Sequence, residues 1–337
     1  MPPDPLIGSL AAVGAALCWV FTALAFAAAG RRVGSAVVNT VRLVMAVIIL
    51  AIVHRLLFGT WWPEVSGSSM AWLAASGIIG LGIGDQLLFQ ALLDVGSRVS
   101  TLLMTLAPPA TAILAWPILD EALGIVAVLG MAITLGGIAW VVSEGEVTEK
   151  KRHPRRGVLF AAGGGLAQAA GLILAKLGLV GVESLDPWSA TLIRLVFGTA
   201  TAFVLLAVIQ ACRPRRQKAE EDDGRGVLLV ATGLILVGAI FGPVLGVWLS
   251  LVGIDNLETG IAATLMSLSP VFILPFAAWV ERDRITWRAV AGAIISVVGV
   301  AVLTLGLSRG GTGASADPDA VPVRQESSTS VLPGSTS

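Results

Sequence analysis

The chain has 337 residues, 55% of them hydrophobic and 13% charged, with 22 Lys and Arg balanced by 22 Asp and Glu. Soluble domains carry about a quarter of their residues as charge, so this composition excludes a water-soluble fold. The zero net charge points away from nucleic acid, and the two cysteines, Cys18 and Cys212, exclude a disulfide framework.

A helix needs about 20 mostly apolar residues to cross a bilayer. Ten such stretches follow one another: 6–28, 35–57, 70–93, 97–117, 122–142, 157–180, 187–210, 226–252, 258–280 and 285–307. The expected fold is therefore an all-α membrane protein with ten transmembrane helices. The first stretch follows Met1-Pro2-Pro3-Asp4-Pro5, which lacks a positive n-region, so it reads as a retained helix and not a signal peptide. A basic linker covers 143–156 and a mixed-charge loop runs from Arg213 to Arg225. Residues 308–337 are rich in Gly, Ser, Thr and Pro and read as a disordered tail.

The placement of Lys and Arg sets an orientation. With the N-terminus outside, sixteen fall on inward connections, while only Arg55, Arg309 and Arg324 face outward. The positive-inside rule then places both termini on the non-cytoplasmic side.

The two halves repeat. Leu103-Met104-Thr105-Leu106-Ala107-Pro108 matches Leu265-Met266-Ser267-Leu268-Ser269-Pro270 at an offset of 162, and Gly130, Thr134 and Gly137 fall on Gly292, Ser296 and Gly299. Arg42-Leu43-Val44 answers Arg194-Leu195-Val196 near the start of each copy. Five helices per copy, an odd number, turn the second copy upside down, giving two inverted five-helix repeats at 6–142 and 157–307. Inverted repeats are a common frame for alternating-access carriers.

These residues resemble the drug/metabolite transporter superfamily, and within it the ten-helix EamA-type carriers. The likeness spans about 6–307. It also includes an acidic residue 13 positions after each signature proline, Glu121 and Asp283, the latter where many relatives have Glu. The resemblance implies a carrier of small metabolites such as amino acids, nucleobases or drug-like compounds, with export the expected direction. The expected setting is the cytoplasmic (inner) membrane of a bacterium.

Ser97, Thr101, Thr105 and Pro108 share one helical face, and Thr259, Ala263, Ser267 and Pro270 answer them. Thr101, Thr105 and Ser267 are candidate substrate contacts, with helix packing as the alternative. Pro108 and Pro270 are expected to kink their helices and free a backbone carbonyl. Asp85 lies about 13 Å from the inward end of the third stretch, where a charge costs about 2.5 to 3.5 kcal/mol on insertion scales. Three readings stay open for it: an ion pair with Arg42, which lies at similar depth; proton uptake and release during the cycle; and direct contact with cationic cargo.

Arg194 occupies the place of Arg42 in the second copy, but Val247 stands where Asp85 would be. It either snorkels to the interface or serves a gate, binding an anion or pairing with Asp186, Asp255 or Glu258. Gln86 and Gln90, answered by Trp248 and Val252, form a second polar stripe suited to cargo or to interhelical hydrogen bonding. Trp19 and Gln168, equivalent at an offset of 149, are candidate pocket walls. Trp61, Trp62, Trp72 and Trp188 fall near helix ends and read as interfacial anchors.

The chain shows no Walker-type loop, and its histidines, His54 and His153, lie near loops without a metalloprotease motif. An enzyme is therefore not expected, nor any cofactor or metal. The expected partners are a small-molecule substrate and the lipid bilayer, with protons as a candidate coupling ion. A receptor or scaffold keeping the same fold is the competing class, and the polar midplane residues speak for transport.

Overall fold

Backbone amides in hydrocarbon must bond within their own segment, which makes helices the available open-chain solution. A computed structural model describes residues 4–65, 67–144, 154–179, 185–212, 224–269, 271–272 and 287–310, and the regular elements among them are all helical. Helix α1 (Pro5–Val33) starts at Asp4, whose side chain accepts from the Leu6 and Ile7 amides at 2.8 and 3.3 Å. It ends at Gly34, whose φ of 86° turns the chain into α2 (Ser35–Phe58).

Helix α3 (Gly67–Ser76) runs through a π-helical stretch, π1 (Gly77–Gly84), into α4 (Asp85–Met104). Helices α5 (Ala107–Leu119) and α6 (Ile125–Glu144) complete the first half. The second half holds α7 (Pro154–Leu179), α8 (Pro187–Cys212), α9 (Gly224–Ala239), π2 (Ile240–Gly246), α10 (Val247–Asn256), α11 (Thr259–Met266) and α12 (Trp287–Gly310). By length and composition, six segments among the described residues can cross a membrane, including Gly67–Val95 and Val230–Asn256, and three shorter apolar helices accompany them.

The third and eighth stretches are less regular than their hydropathy suggests. In π1 the sequence Gly77-Ile-Ile-Gly80-Leu-Gly82-Ile-Gly84 has few side chains to enforce α geometry, and the Asp85 amide reaches back five residues to the Gly80 carbonyl. In π2 Pro243 removes an interior amide, and Val247 reaches Gly242. The two segments coincide under the 162 offset. So do the turns at Thr105-Leu106 and Ser267-Leu268, each just ahead of a signature proline. Pro108 is the second residue of α5, while Pro270 and Asp283 lie outside the described residues, as do linker positions 145–153 and tail positions 311–337.

Helix α4 spans the expected boundary at 94–96 in helical geometry, but it does not run straight. A straight helix would hold Leu88 and Leu103 about 22 Å apart. Yet a Cβ on Gly164 would lie 3.3 Å from the Leu88 amide, and one on the adjacent Gly165 would lie 3.4 Å from the Leu103 carbonyl. The chain therefore doubles back between them.

The interior is built of small residues, because apolar burial gives no drive in a bilayer and close backbone approach does the packing. Ala12, Ala15, Ala16, Ala29, Ala46, Ala91, Ala175 and Ala190 are fully buried, while Ile113, Trp116, Ile125, Leu159 and Val204 face outward, each more than half exposed. Cβ atoms on Gly130 and Gly137 would meet Leu303 and Ser296, so α6 and α12 cross in near backbone contact. Helix α1 lies along π2 and α10, with Gly8 at Leu257, Gly14 at Leu249 and Trp19 at Gly246. Helix α7 lies likewise along α4 and π1, with Gly157 at Val95 and Gly171 at Gly80. In each case one partner's numbering rises as the other's falls, so these pairs are antiparallel.

Candidate functional site

The glycines of π1 let α7 and α8 approach the third helix, which brings Gln168 of α7 onto Asp85 and Arg194 of α8 beside Gly80. Asp85 is 8% exposed. One carboxylate oxygen is paired with Arg42 Nη2, and the other accepts from Gln168 Nε2 at 2.6 Å. Both oxygens thus face donors, the pattern of an ionised carboxylate. Gln168 Nε2 also lies 3.5 Å from the Gly80 carbonyl exposed by π1.

Arg42 is 5% exposed and held on every side. Its Nε and Nη2 donate to Asn39 Oδ1 at 3.1 and 2.8 Å, and Asn39 Nδ2 donates to Gln86 Oε1 at 3.5 Å. Its guanidinium also stands 5.4 and 4.8 Å from the ring centres of Phe26 and Phe89, which pack edge to face. Cation–π contact of this kind stabilises a desolvated cation by about 2 kcal/mol or more, and the carboxylate supplies the neutralising charge.

Arg194 does not reach the interface: it is 3% exposed, and its Nε and Nη1 have no hydrogen-bond partner. Its surroundings include Asp85, whose charge acts on it, and none of Asp186, Asp255 and Glu258 makes an ion pair with it. The snorkelling expectation fails because α8 packs its Arg194 backbone straight onto Gly77, which turns the side chain into the bundle beside Gly80. Along α7, Gln168 lies about 18 Å from Arg156 and about 12 Å from Lys176 by helical rise. The cluster therefore sits near mid-depth.

The remaining expected residues divide. Gln90 is spent on structure, accepting from Ser35 Oγ at 3.1 Å and donating to Asp94 Oδ1 at 3.1 Å. Ser267 Oγ donates to the Ala263 carbonyl at 2.9 Å in its own helix. Thr105 lies half-buried in the turn between α4 and α5, and the side chain of Thr101 lies outside the described residues. Trp19 packs against Gly246 in π2, mirroring Gln168 at π1. Trp248 stacks on Trp188 with ring centres 4.1 Å apart, so Trp188 is an interior partner and not only an anchor; Trp61, Trp62 and Trp72 are exposed.

Two end clusters escaped the sequence reading. At one end Arg156 Nε and Nη2 grip the buried Asp94 at 2.7 and 2.6 Å. The signal was there in the Gln86, Gln90, Asp94 spacing of four. At the other end Glu121 accepts from the Thr259 amide at 2.6 Å and its hydroxyl at 3.0 Å, capping α11. Beside it the Lys176 ammonium donates to the Ile254 carbonyl. Half-buried Glu258, at the start of α11, has its pKa pushed up by burial and by the neighbouring Glu121.

Among the described residues no group of His, Cys, Asp and Glu is arranged to hold a metal ion. A crystal structure of another protein shares this fold with a TM-score of 0.69 and 18% identity over 91% of this chain and 99% of that one. No curated protein matches the chain. The EamA-like transporter family matches it twice, over residues 6–143 and 155–305. Those two matches account for nearly the whole membrane region, and the chain therefore belongs to the EamA-like transporter family, a branch of the drug/metabolite transporter superfamily.

Proposed function

We propose that this protein is a secondary carrier that moves a small metabolite across the cytoplasmic membrane of a bacterium by alternating access. Its two halves, 6–142 and 157–307, are inverted copies, both termini lie outside, and export is the working direction. The antiparallel contacts of α6 with α12 support the inversion, since those helices are repeat equivalents. Thr40 against Ala202 and His54 against Ser189 give the same sense for α2 and α8.

The observation that carries the reading is the buried set of Arg42, Asp85 and Arg194, joined by half-buried Gln168, at the seam between the copies. A scaffold gains nothing from ions in a membrane interior, where each costs several kcal/mol before compensation. A carrier needs polar groups there to replace the water its cargo sheds. The π segments interrupt regular α geometry at the same depth, a frequent feature of functional sites.

Access at the outward end requires separating Glu121 from Thr259 and Lys176 from Ile254, which tie the fourth-to-fifth turn and α7 to α10 and α11. Access at the inward end requires parting Phe26 from Phe89 and Ser35 from Gln90. Cargo seated between the two ties would trade its contacts at mid-depth for one set or the other. The test is counterflow into liposomes: preloaded unlabelled metabolite should drive uptake of its labelled form through purified protein, with and without a pH gradient. An absence of exchange across amino acids, nucleobases, organic acids and drug-like cations would instead favour a non-transporting receptor.

A further inference from the structure

The mid-depth cluster carries an unbalanced charge. Arg42 and Arg194 face a single buried carboxylate, Asp85, whose two oxygens are already taken by Arg42 and Gln168. Arginine keeps its proton at any physiological pH, so the cluster retains one net positive charge. That charge belongs to Arg194, whose Nε and Nη1 are unbonded at 3% exposure. A structural role alone would leave a desolvated cation unpaired, the least favourable state for an interior ion.

The Nη2 of that guanidinium lies beside Gly80. A Cβ added there would lie 3.5 Å from Gly171 Cα, 3.8 Å from Arg194 Nη2 and 4.0 Å from Gln168 Oε1, so the glycine leaves a gap of one methyl group beside Nη2. We infer that Arg194 receives a carboxylate of the cargo beside Gly80, and that the carrier's substrates are small monocarboxylic acids in their anionic form. A planar carboxylate matches the guanidinium fork, and one negative charge neutralises the site. A phosphate dianion would overshoot, and an ammonium would find Asp85 occupied. This inference rests on the carrier reading.

The experiment uses full-length protein in detergent with propionate and benzoate, each against its amide, propionamide and benzamide, at constant ionic strength. The acids should raise Tm by about 2 °C or more at saturation while the amides do not. Arg194→Gln should remove the acid-dependent rise, and without ligand it should unfold no earlier than the unaltered protein. Gly80→Ala meets nothing closer than 3.5 Å, so it should fold normally and weaken the acid effect at least tenfold by filling the carboxylate's place. Equal shifts with acids and amides, no shift with either, or an acid shift surviving in both variants would overturn the inference. Counterflow separates the two claims: exchange of amines or neutral solutes with no response to acids overturns this proposal alone, whereas acid binding without exchange overturns the carrier reading alone.

Discussion

Replacing Asp85 with Asn strips both interior guanidinium groups of their shared counter-charge. The mid-depth cluster then goes from two positive charges against one negative to two positive charges alone, at positions that are 5% and 3% exposed. Breaking a buried pair by removing one partner costs about 3 to 5 kcal/mol, and the full range applies here because no other acidic side chain among the described residues pairs with either arginine. Arg42→Gln is milder. It leaves the carboxylate's charge acting on Arg194 and one oxygen still bonded to Gln168 at 2.6 Å, for an expected loss of about 1 to 3 kcal/mol. The double replacement removes the pair together and should cost less than the sum of the singles by about 1.5 kcal/mol or more. Denaturant unfolding in detergent, followed by tryptophan fluorescence, gives all three values. An Arg42→Gln loss as large as that of Asp85→Asn, or singles that add to the double within about 0.5 kcal/mol, would refute the charge assignment.

Adjacent glycines in α6 give a clean contrast: Gly137→Ala places a methyl group 2.6 Å from the Gly292 carbonyl, whereas Gly136→Ala meets nothing within 4 Å. The first should destabilise by about 2 kcal/mol and the second should be near neutral, as read by yield and monodispersity on size-exclusion chromatography. Glu258 has a raised pKa in the folded protein, so folding favours its protonated form. Stability from this group is therefore lost as pH rises from the ordinary value of 4.5 through the raised one. Glu258→Gln should raise Tm at neutral pH and flatten its dependence in that window, and an unchanged pH profile would remove Glu258 from the outer cluster. Glu121→Gln keeps one acceptor for the Thr259 amide but drops the charge at the α11 N-terminus, so it should speed outward opening, seen as faster labelling of a cysteine placed at Trp19.

Depth along a helix was readable from sequence, and depth is what brings Arg42 and Asp85 together: two residues at similar distance from one face, on neighbouring helices, find each other. Lateral orientation was not. Arg194 points inward because Gly77 lets α8 sit on the third helix, a contact between copies that no periodicity in either helix records. Asp94 hid at a helix end drawn one residue too early, and Arg156 hid in a linker where cations serve the orientation rule equally well. Trp188 showed the pattern of an interfacial anchor, and only the approach of α10 to α8 reveals its stack on Trp248. The π segments left a trace in the glycines of 77–84 and in Pro243, but hydropathy alone reads such a stretch as an ordinary span. The repeat was the strongest signal, and both its irregularities, the π segments and the turns before the signature prolines, recur at the same offset.

The account depends above all on the two halves lying upside down relative to each other. Arg32, in the last turn of α1, and Asp186, just ahead of α8, flank the connection between the first and second helices of each copy, and can be replaced singly by cysteine in a protein lacking Cys18 and Cys212. With a membrane-impermeant maleimide on intact cells, Asp186→Cys should label from outside and Arg32→Cys only after the membrane is opened; labelling of both from the same side would contradict the inverted arrangement.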